Sequence, residues 1–352
     1  EGTEDLSLIA RAMGKTLVIK DGDTLLSNPG LPQILSELRD VYDTSARTSY
    51  RNRTSRAYQG VRMSIILCGT ESLRVLNRSE LGERFLDTVI VDEIDEEQED
   101  RIGMRVAREA ARSVRLESDG RPETHESPER TRVKQLTGGY VQWLRGNASS
   151  LVGPVVDSEE VFQRCHALGK FVSFMRARPL ATSRGGRSRG KGGEGGLGDG
   201  GDEESPSQRE LSYRLTSQHV RLAICLAALL NRPMVDDEVM RRVKRVALDT
   251  ARGRSLETCR HLYEAGMQGL TAAELAHFTD HLEDSEKRYL RFLRKLKVVS
   301  RRRGRHPLYD LYDRPVPVST STEIHYTLTP RLIRLYSEVV GGVYGQRRKA
   351  VR

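Results

Sequence analysis

The sequence predicts an α/β protein in which a small parallel sheet is followed by a helical region and then by a small domain of helices and two strands. Three observations support this order. Short apolar runs rich in β-branched residues occur in the first 100 residues, separated by a helical pattern. After about residue 100 the predicted elements are all helices as far as residue 253, and positive charge is concentrated near the C-terminus. Strands that alternate with helices are typical of a parallel sheet, whose functional groups lie at the carboxyl ends of its strands.

The composition excludes several classes of protein. The chain has 352 residues, which is long enough for two or three domains, and 37% of the residues are hydrophobic, as in globular proteins. No uninterrupted apolar run reaches the roughly 20 residues that cross a bilayer, so we expect a cytoplasmic protein with no membrane partner. The four cysteines are far apart and form no CxxC pair, which argues against a disulfide framework or a zinc cluster. Because residue 1 is Glu and the sequence begins within a helix-like pattern, we expect this chain to be the C-terminal part of a longer polypeptide.

The first strand is predicted at Thr16–Ile19 as a buried strand that ends in an acidic turn. A helix is predicted over residues 31–41, and further strands over 61–68 and 86–91. The later predicted helices are 101–116, 157–178, 211–231 and 236–252. Residues 117–132 are predicted to be a polar surface insertion. Residues 183–208 contain 10 glycines in 26 positions, so we expect a flexible loop there.

The C-terminal region shows the winged-helix pattern of three short helices and a two-stranded wing. Its predicted helices are 255–265, 271–279 and 284–297, its strands are 298–302 and 323–328, and a last helix starts at Pro330. The third helix would be the recognition helix, with Lys287, Arg288 and Arg291 facing outward. The wing arginines are Arg301, Arg302 and Arg303.

Positive charge supports a nucleic-acid partner for this region. Residues 283–352 hold 17 Lys or Arg against 7 Asp or Glu, while the whole chain has a net charge of +9. A basic face on a small domain is typical of proteins that bind phosphate-rich partners, most often nucleic acid. The alternative is a solvated basic surface with a disordered tail.

The run from Lys15 to Leu26 resembles a Walker B strand, whose terminal acids hold magnesium and polarise water. Two alignments stay open. The MCM-type form of this strand end reads DEFDKM. If Asp23 takes the last acid of that pattern, Asp21 falls in the glutamate slot and Lys20 replaces the first acid, which binds magnesium. If Asp21 takes the first slot, the glutamate is missing. Gly14-Lys15-Thr16 is not a P-loop, because the motif requires a glycine where this chain has Ile9 and a helix where a strand is predicted.

The segments after this strand follow the order found in AAA+ ATPases. The next strand ends in Thr70, at the place of the sensor 1 polar residue, and Arg84 lies in a segment that resembles an arginine finger. The alternative for Arg84 is an ion pair with Glu80 or Glu83. Between the two strands, residues 50–62 are basic and aromatic and resemble, by their position, the DNA-tracking hairpin of MCM-type proteins; the alternative is an exposed polar loop. Its phosphate contacts would be the hairpin arginines Arg51, Arg53 and Arg56.

Two further motifs lie later in the chain. Residues 219–223 resemble the lid helix that supplies the sensor 2 residue, and Arg221 is the candidate; a solvent-facing arginine is the alternative. His277 and His281 are four residues apart, but no carboxylate or cysteine shares their face at metal spacing. They therefore indicate a surface pair rather than a metal site.

Taken together, these motifs resemble the MCM-like AAA+ replicative helicases of phages and mobile elements. The resemblance implies a partial AAA+ core over residues 1–100, a helical lid over 101–253, a winged helix over 254–340 and a basic tail over 341–352. Walker A is absent from the chain, Lys20 departs from the usual acid pair, and the Gly-rich loop interrupts the lid.

The resemblance implies an ATP- and Mg²⁺-dependent DNA helicase that works as a homo-oligomeric, hexameric ring. Asp21 and Asp23 would serve magnesium and water, Thr70 and Arg221 would sense nucleotide, and Arg84 would act in the neighbouring subunit's site. Single-stranded DNA would occupy the channel and duplex DNA the winged helix. An AAA+ initiator or helicase loader is one alternative, and a non-enzymatic winged-helix regulator with a decayed ATPase fold is another.

Overall fold

The computed structural model is mostly helical, with small two-stranded sheets. It describes residues 8–49, 55–73, 84–90, 95–113, 128–153, 155, 158–179, 207–208, 211–303 and 323–341. The helices are α1 Leu8–Ala12, α2 Leu31–Tyr42, α3 Glu96–Ser113, α4 Pro128–Val152, α5 Glu159–Met175, α6 Ser212–Leu229, α7 Asp237–Ala251, α8 Arg254–Ala265, α9 Ala272–Thr279, α10 Glu283–Lys295 and α11 Pro330–Val339. The strands are β1 Thr16–Ile19, β2 Ser45–Ser49, β3 Ser55–Gln59, β4 Ser64–Leu67, β5 Arg178–Pro179, β6 Ser207–Gln208, β7 Val299–Arg303 and β8 Ile324–Leu328.

Two compact units make up the chain. Unit 1 comprises Glu1–Asp87, Phe162–His219 and Val246–Arg352, and unit 2 comprises Thr88–Val161 and Val220–Arg245. Helices α6 and α7 contribute residues to both units. None of the helices in the described ranges is long and apolar enough to span a membrane.

A parallel strand pair organises the start of unit 1. Strands β1 and β4 pair in parallel, and α2 and the antiparallel β2–β3 hairpin lie between them in the chain. Helix α2 has Pro32 in its first turn, where the missing amide of proline costs no hydrogen bond. Its buried residues Leu35 and Leu38 pack with Ile65 and Leu67 of β4. The parallel pairing agrees with the α/β class.

Two strand predictions need correction. We expected β1 to be buried, but Val18 and its partner Ile66 are each about half exposed. Alternate side chains of a strand point to opposite faces, and α2 packs against the face that carries Ile65 and Leu67. We also expected a strand over residues 86–91, but residues 85–89 have no regular secondary structure. There the amide of Asp87 donates to the Thr250 hydroxyl (2.9 Å).

Helix α4 was not predicted. The expected polar insertion over 117–132 overlaps its start at Pro128, and the remainder of the insertion lies outside the described residues. No residue of α4 with a described side chain is buried. A helix without a buried face lacks the strong 3.6-residue apolar period on which a helix prediction depends.

The C-terminal elements occur in the predicted order, each within about two residues of its predicted bounds. Thr271 begins α9 with a capping box, in which its hydroxyl accepts from the Glu274 amide and the Glu274 carboxylate accepts from the Thr271 amide. Strands β7 and β8 pair antiparallel, and Leu270 exchanges two backbone hydrogen bonds with Tyr326. Among the residues that the structure describes in this region, the fully buried leucines are Leu262, Leu275, Leu290, Leu293, Leu328 and Leu332.

Candidate functional site

The carboxyl ends of β1 and β4 form the first part of the candidate site. The Cys68 amide donates to the Ile19 carbonyl (2.8 Å), and the Gly22 amide donates to the Cys68 carbonyl (2.8 Å). The parallel pairing therefore continues one step beyond each strand. It places the acidic turn after β1 beside the segment after β4.

Asp23 and Thr70 meet at this edge. The Thr70 amide donates to Asp23 Oδ2 (2.7 Å), and its hydroxyl donates to Asp23 Oδ1 (3.1 Å). The hydroxyl of Ser72 lies 2.8 Å from that of Thr70. Both oxygens of the carboxylate are thus held by one residue of the neighbouring strand end. The structure brings together two residues that the sequence placed at the ends of adjacent strands.

Gly69 makes this approach sterically feasible and was missed in the sequence. A Cβ atom at Gly69 would lie 2.7 Å from Asp23 Oδ2 and 2.6 Å from a methyl carbon of Leu73. Atoms in proteins do not pack so closely, so a side chain here would push Asp23 away from Thr70. The signal available in the sequence was a glycine immediately before the candidate sensor residue.

Asp21 is the second acid of the predicted Walker B strand. Its carbonyl accepts from the amide and the hydroxyl of Thr24, at 3.1 and 2.7 Å, and its exposed side chain does not cap the turn that follows. Carboxylate oxygens are the ligands that magnesium prefers, so Asp21 and Asp23 fit the ion in chemistry. In the described part of the chain, no group of three or more His, Cys, Asp or Glu could hold a metal.

The nucleotide is a different case. Residues 1–352 contain no GxxxxGK[ST] sequence, whose backbone amides and lysine would cradle the phosphates. Lys20 is exposed next to Asp21, at the position where one alignment requires an acid. Asp21 and Asp23 could bind magnesium, but residues 1–352 contain no P-loop motif to bind the phosphates of ATP.

Arg84 is held within its own chain. Its Nη2 donates to Asp43 Oδ2 (3.2 Å), its guanidinium lies 6.0 Å from the centre of the Tyr42 ring, and its side chain is only 17% exposed. The carbonyl of the next residue, Phe85, accepts from Arg176 (3.3 Å). Glu80 and Glu83, the partners that the sequence suggested, lie outside the described residues. The observed partner, Asp43, is 41 residues away in the chain.

The predicted hairpin region contains the antiparallel strands β2 and β3. Arg56 lies on β3, in register with Thr48 of β2. Arg51 and Arg53 lie outside the described residues, between the two strands. The base of the hairpin is closed by a hydrogen bond from the Val61 amide to the Thr44 carbonyl (3.0 Å).

The lid-helix motif contains both an exposed and a buried basic residue. Arg221 is exposed on the unit 2 part of α6. His219, in unit 1, is fully buried, and neither ring nitrogen has a hydrogen-bond partner among the described residues. Burial lowers the pKa of His219 to about 4, an effect that the nearby backbone of Cys165 only partly offsets. The imidazole is therefore neutral at pH 7.

The outward face of α10 carries the predicted DNA-binding cations. Lys287, Arg288 and Arg291 are exposed. Lys287 pairs with Glu283 (2.8 Å) and Asp284 (3.6 Å), and its hydrogen bond to Glu283 is the main cause of its raised pKa. On β7, Arg301 and Arg303 are exposed, whereas Arg302 is partly buried and donates to the Met267 carbonyl (3.3 Å). Arg302 thus helps to hold the strand in place.

His277 and His281 do not form a joint site. His277 is exposed, and His281 Nδ1 lies 3.2 Å from Oε1 of the buried Glu286. That carboxylate oxygen also accepts from Arg254 (2.9 Å) and Thr279 (3.1 Å). His281 therefore belongs to a polar cluster that joins the starts of α8 and α10 to the end of α9.

Comparisons with known proteins give no family assignment. No model of a protein family matches the chain. None of the curated proteins matches it either.

Proposed function

We propose that this chain is part of a subunit of an ATP-dependent DNA helicase of the MCM-like AAA+ class, which acts as a homo-oligomeric, hexameric ring. The observation that carries the proposal is the contact between Asp23 and Thr70 across two adjacent parallel strand ends, with a β-hairpin between those strands in the chain. Ligands of open α/β sheets bind at the carboxyl ends of the strands, and a Walker B acid at such an end is one of the parts of a P-loop ATPase site.

Each element has a role in this proposal. Asp21 and Asp23 would supply oxygen ligands to Mg²⁺, which neutralises charge on ATP phosphates. Thr70, which lies at the β4 strand end and bonds to Asp23, would sense nucleotide there, and Arg221 would sense it from the lid. The hairpin arginines would contact the backbone of single-stranded DNA, and the C-terminal domain, as a winged helix, would bind duplex DNA through α10 and β7. The phosphates require a P-loop that residues 1–352 do not contain.

The Asp43 contact of Arg84 favours a second candidate, a DNA-binding regulator without ATPase activity. An arginine finger must reach a neighbouring subunit, and Arg84 is largely buried and paired within its own chain. Lys20 also favours the regulator, because it occupies the position where one alignment requires the magnesium-binding acid. In the helicase, assembly of the ring would have to release Arg84 from Asp43.

The test uses the complete polypeptide. Thr70→Ala should lower ATP turnover stimulated by single-stranded DNA, whereas Thr70→Ser, which keeps the hydroxyl, should retain it. Residues 1–352 alone should not hydrolyse ATP. If the complete polypeptide neither hydrolyses ATP nor unwinds a forked duplex but still binds DNA, the regulator is the correct function.

A further inference from the structure

Helix α4 of unit 2 carries an exposed aromatic pair that the proposed function does not use. The rings of Tyr140 and Trp143 stack with their centroids 5.7 Å apart and their planes at 18°. Tyr140 is 42% exposed and Trp143 is 46% exposed. Adjacent exposed aromatic rings form an apolar patch, and such patches mark interaction sites because covering them is favourable.

The pair is held in place before any ligand binds. The Tyr140 hydroxyl donates to the Leu229 carbonyl at the end of α6, and both residues belong to unit 2. One ring is therefore anchored at its polar end, and the second stacks against it. A binding surface whose side chains are already ordered loses less conformational entropy when it binds.

The aromatic pair belongs to a longer row, which we name the aromatic stripe: Arg132, Leu136, Tyr140 and Trp143. These residues recur every three or four positions, so they lie along one side of the helix. All four are exposed. Arg132 makes no ion pair with any described residue, so its charge is available to a ligand.

The charge of α4 indicates which kind of ligand fits. The helix carries four basic residues, Arg130, Arg132, Lys134 and Arg145, against the single acid Glu129. A second copy of the chain, packed stripe to stripe around a twofold axis, would bring two positive helices together, which is unfavourable. A polyanion with flat apolar groups matches both the charge and the rings.

We propose that the aromatic stripe is a binding site for single-stranded nucleic acid. A base would stack on Trp143, Tyr140 would support that ring from the other side, and Arg132 would contact a phosphate. The inference requires neither ATP hydrolysis nor a ring, so it is independent of the proposed helicase activity.

The experiment uses the fact that Trp143 is the only tryptophan of the chain. The whole chain is titrated at low salt with an oligothymidylate of about 15 nucleotides, close to the site size of other single-strand binders. Tryptophan emission then reports on the stripe alone. We expect the oligonucleotide to quench it, and we expect the same quenching when Arg301 and Arg303 are changed to Gln, because the wing would be a separate site.

Affinity is measured in parallel by the anisotropy of a labelled oligonucleotide. In a chain that carries the two wing substitutions, Trp143→Leu should weaken binding about 5- to 150-fold, the effect of losing one stacked base. Trp143→Phe should retain most of the affinity. The matched control is Val141→Ala, because Val141 is also exposed but lies on the opposite side of α4 from Trp143.

Two results would overturn the proposal. In one, the oligonucleotide leaves the tryptophan emission unchanged and Trp143→Leu binds it as well as the parent chain does. In the other, the emission shifts to shorter wavelength as protein concentration rises without DNA, and the chain self-associates; the stripe is then a protein interface. Quenching by DNA in a polypeptide without ATPase activity would contradict the helicase and leave this inference intact.

Discussion

Acidification should destabilise unit 1 through His219. The buried imidazole has a pKa of about 4 in the folded chain, against an ordinary value of 6.5. Below pH 6.5 the unfolded chain binds a proton at this residue that the folded chain does not, so the free energy of unfolding falls as pH falls. The loss is complete below pH 4. The difference of about 2.5 pKa units corresponds to about 3 kcal/mol.

The measurement is urea unfolding followed by circular dichroism at several pH values between 7.5 and 4. Because carboxylates also titrate in this range, the informative quantity is the difference between the parent chain and His219→Leu, which removes the titrating group and has a similar volume. The variant should lose less stability on acidification, by up to about 3 kcal/mol. His277→Gln, at an exposed histidine, is the control and should behave like the parent. Equal pH dependence in the parent and His219→Leu would refute the assignment of a depressed pKa to this residue.

Four further predictions concern the candidate site and its surroundings. Gly69→Ala should destabilise the chain by about 1 to 3 kcal/mol in urea unfolding, since its methyl group overlaps Asp23, whereas Gly103→Ala on the exposed helix α3 should stabilise it slightly. Asp43→Asn should cost at most about 1 kcal/mol, because the pair with Arg84 is partly exposed, and a far larger loss would mean that the pair organises the core. Changing the two exposed wing arginines to Gln should reduce the salt dependence of duplex binding by about 0.9 per lost phosphate contact, and an unchanged slope would exclude the wing from the interface. In the complete polypeptide, replacing all three hairpin arginines with Ala should abolish stimulation of the ATPase by single-stranded DNA but leave basal turnover, and unchanged unwinding would contradict the tracking role.

The C-terminal region was predictable because its helices bury regular apolar faces. The capping signal Thr271-x-x-Glu274 and the apolar spacing in α10 each have a local physical cause, so the observed elements begin and end close to the predicted positions. The position of Asp23 near Thr70 could also be predicted from the sequence, because parallel strands bring their carboxyl ends to one edge of the sheet.

Other features depend on contacts that leave no local pattern. The Arg84–Asp43 pair joins residues 41 positions apart, and no periodicity in the chain indicates it. The expected strand at 86–91 was inferred from β-branched residues, but the backbone there bonds to the side chain of Thr250, 163 residues later. Strand propensity is a weak guide where a tertiary contact satisfies the backbone.

The ion pair between Asp43 and Arg84 also links the base of the β2–β3 hairpin to the segment that contains Arg84. Asp43 immediately precedes Thr44, whose carbonyl closes the hairpin base, so the ion pair lies directly beside that base. On the Arg84 side, the Phe85 carbonyl accepts from Arg176 and the Asp87 amide donates to the Thr250 hydroxyl. The base of the β2–β3 hairpin is therefore connected through Arg84 to residues near the C-terminal ends of α5 and α7.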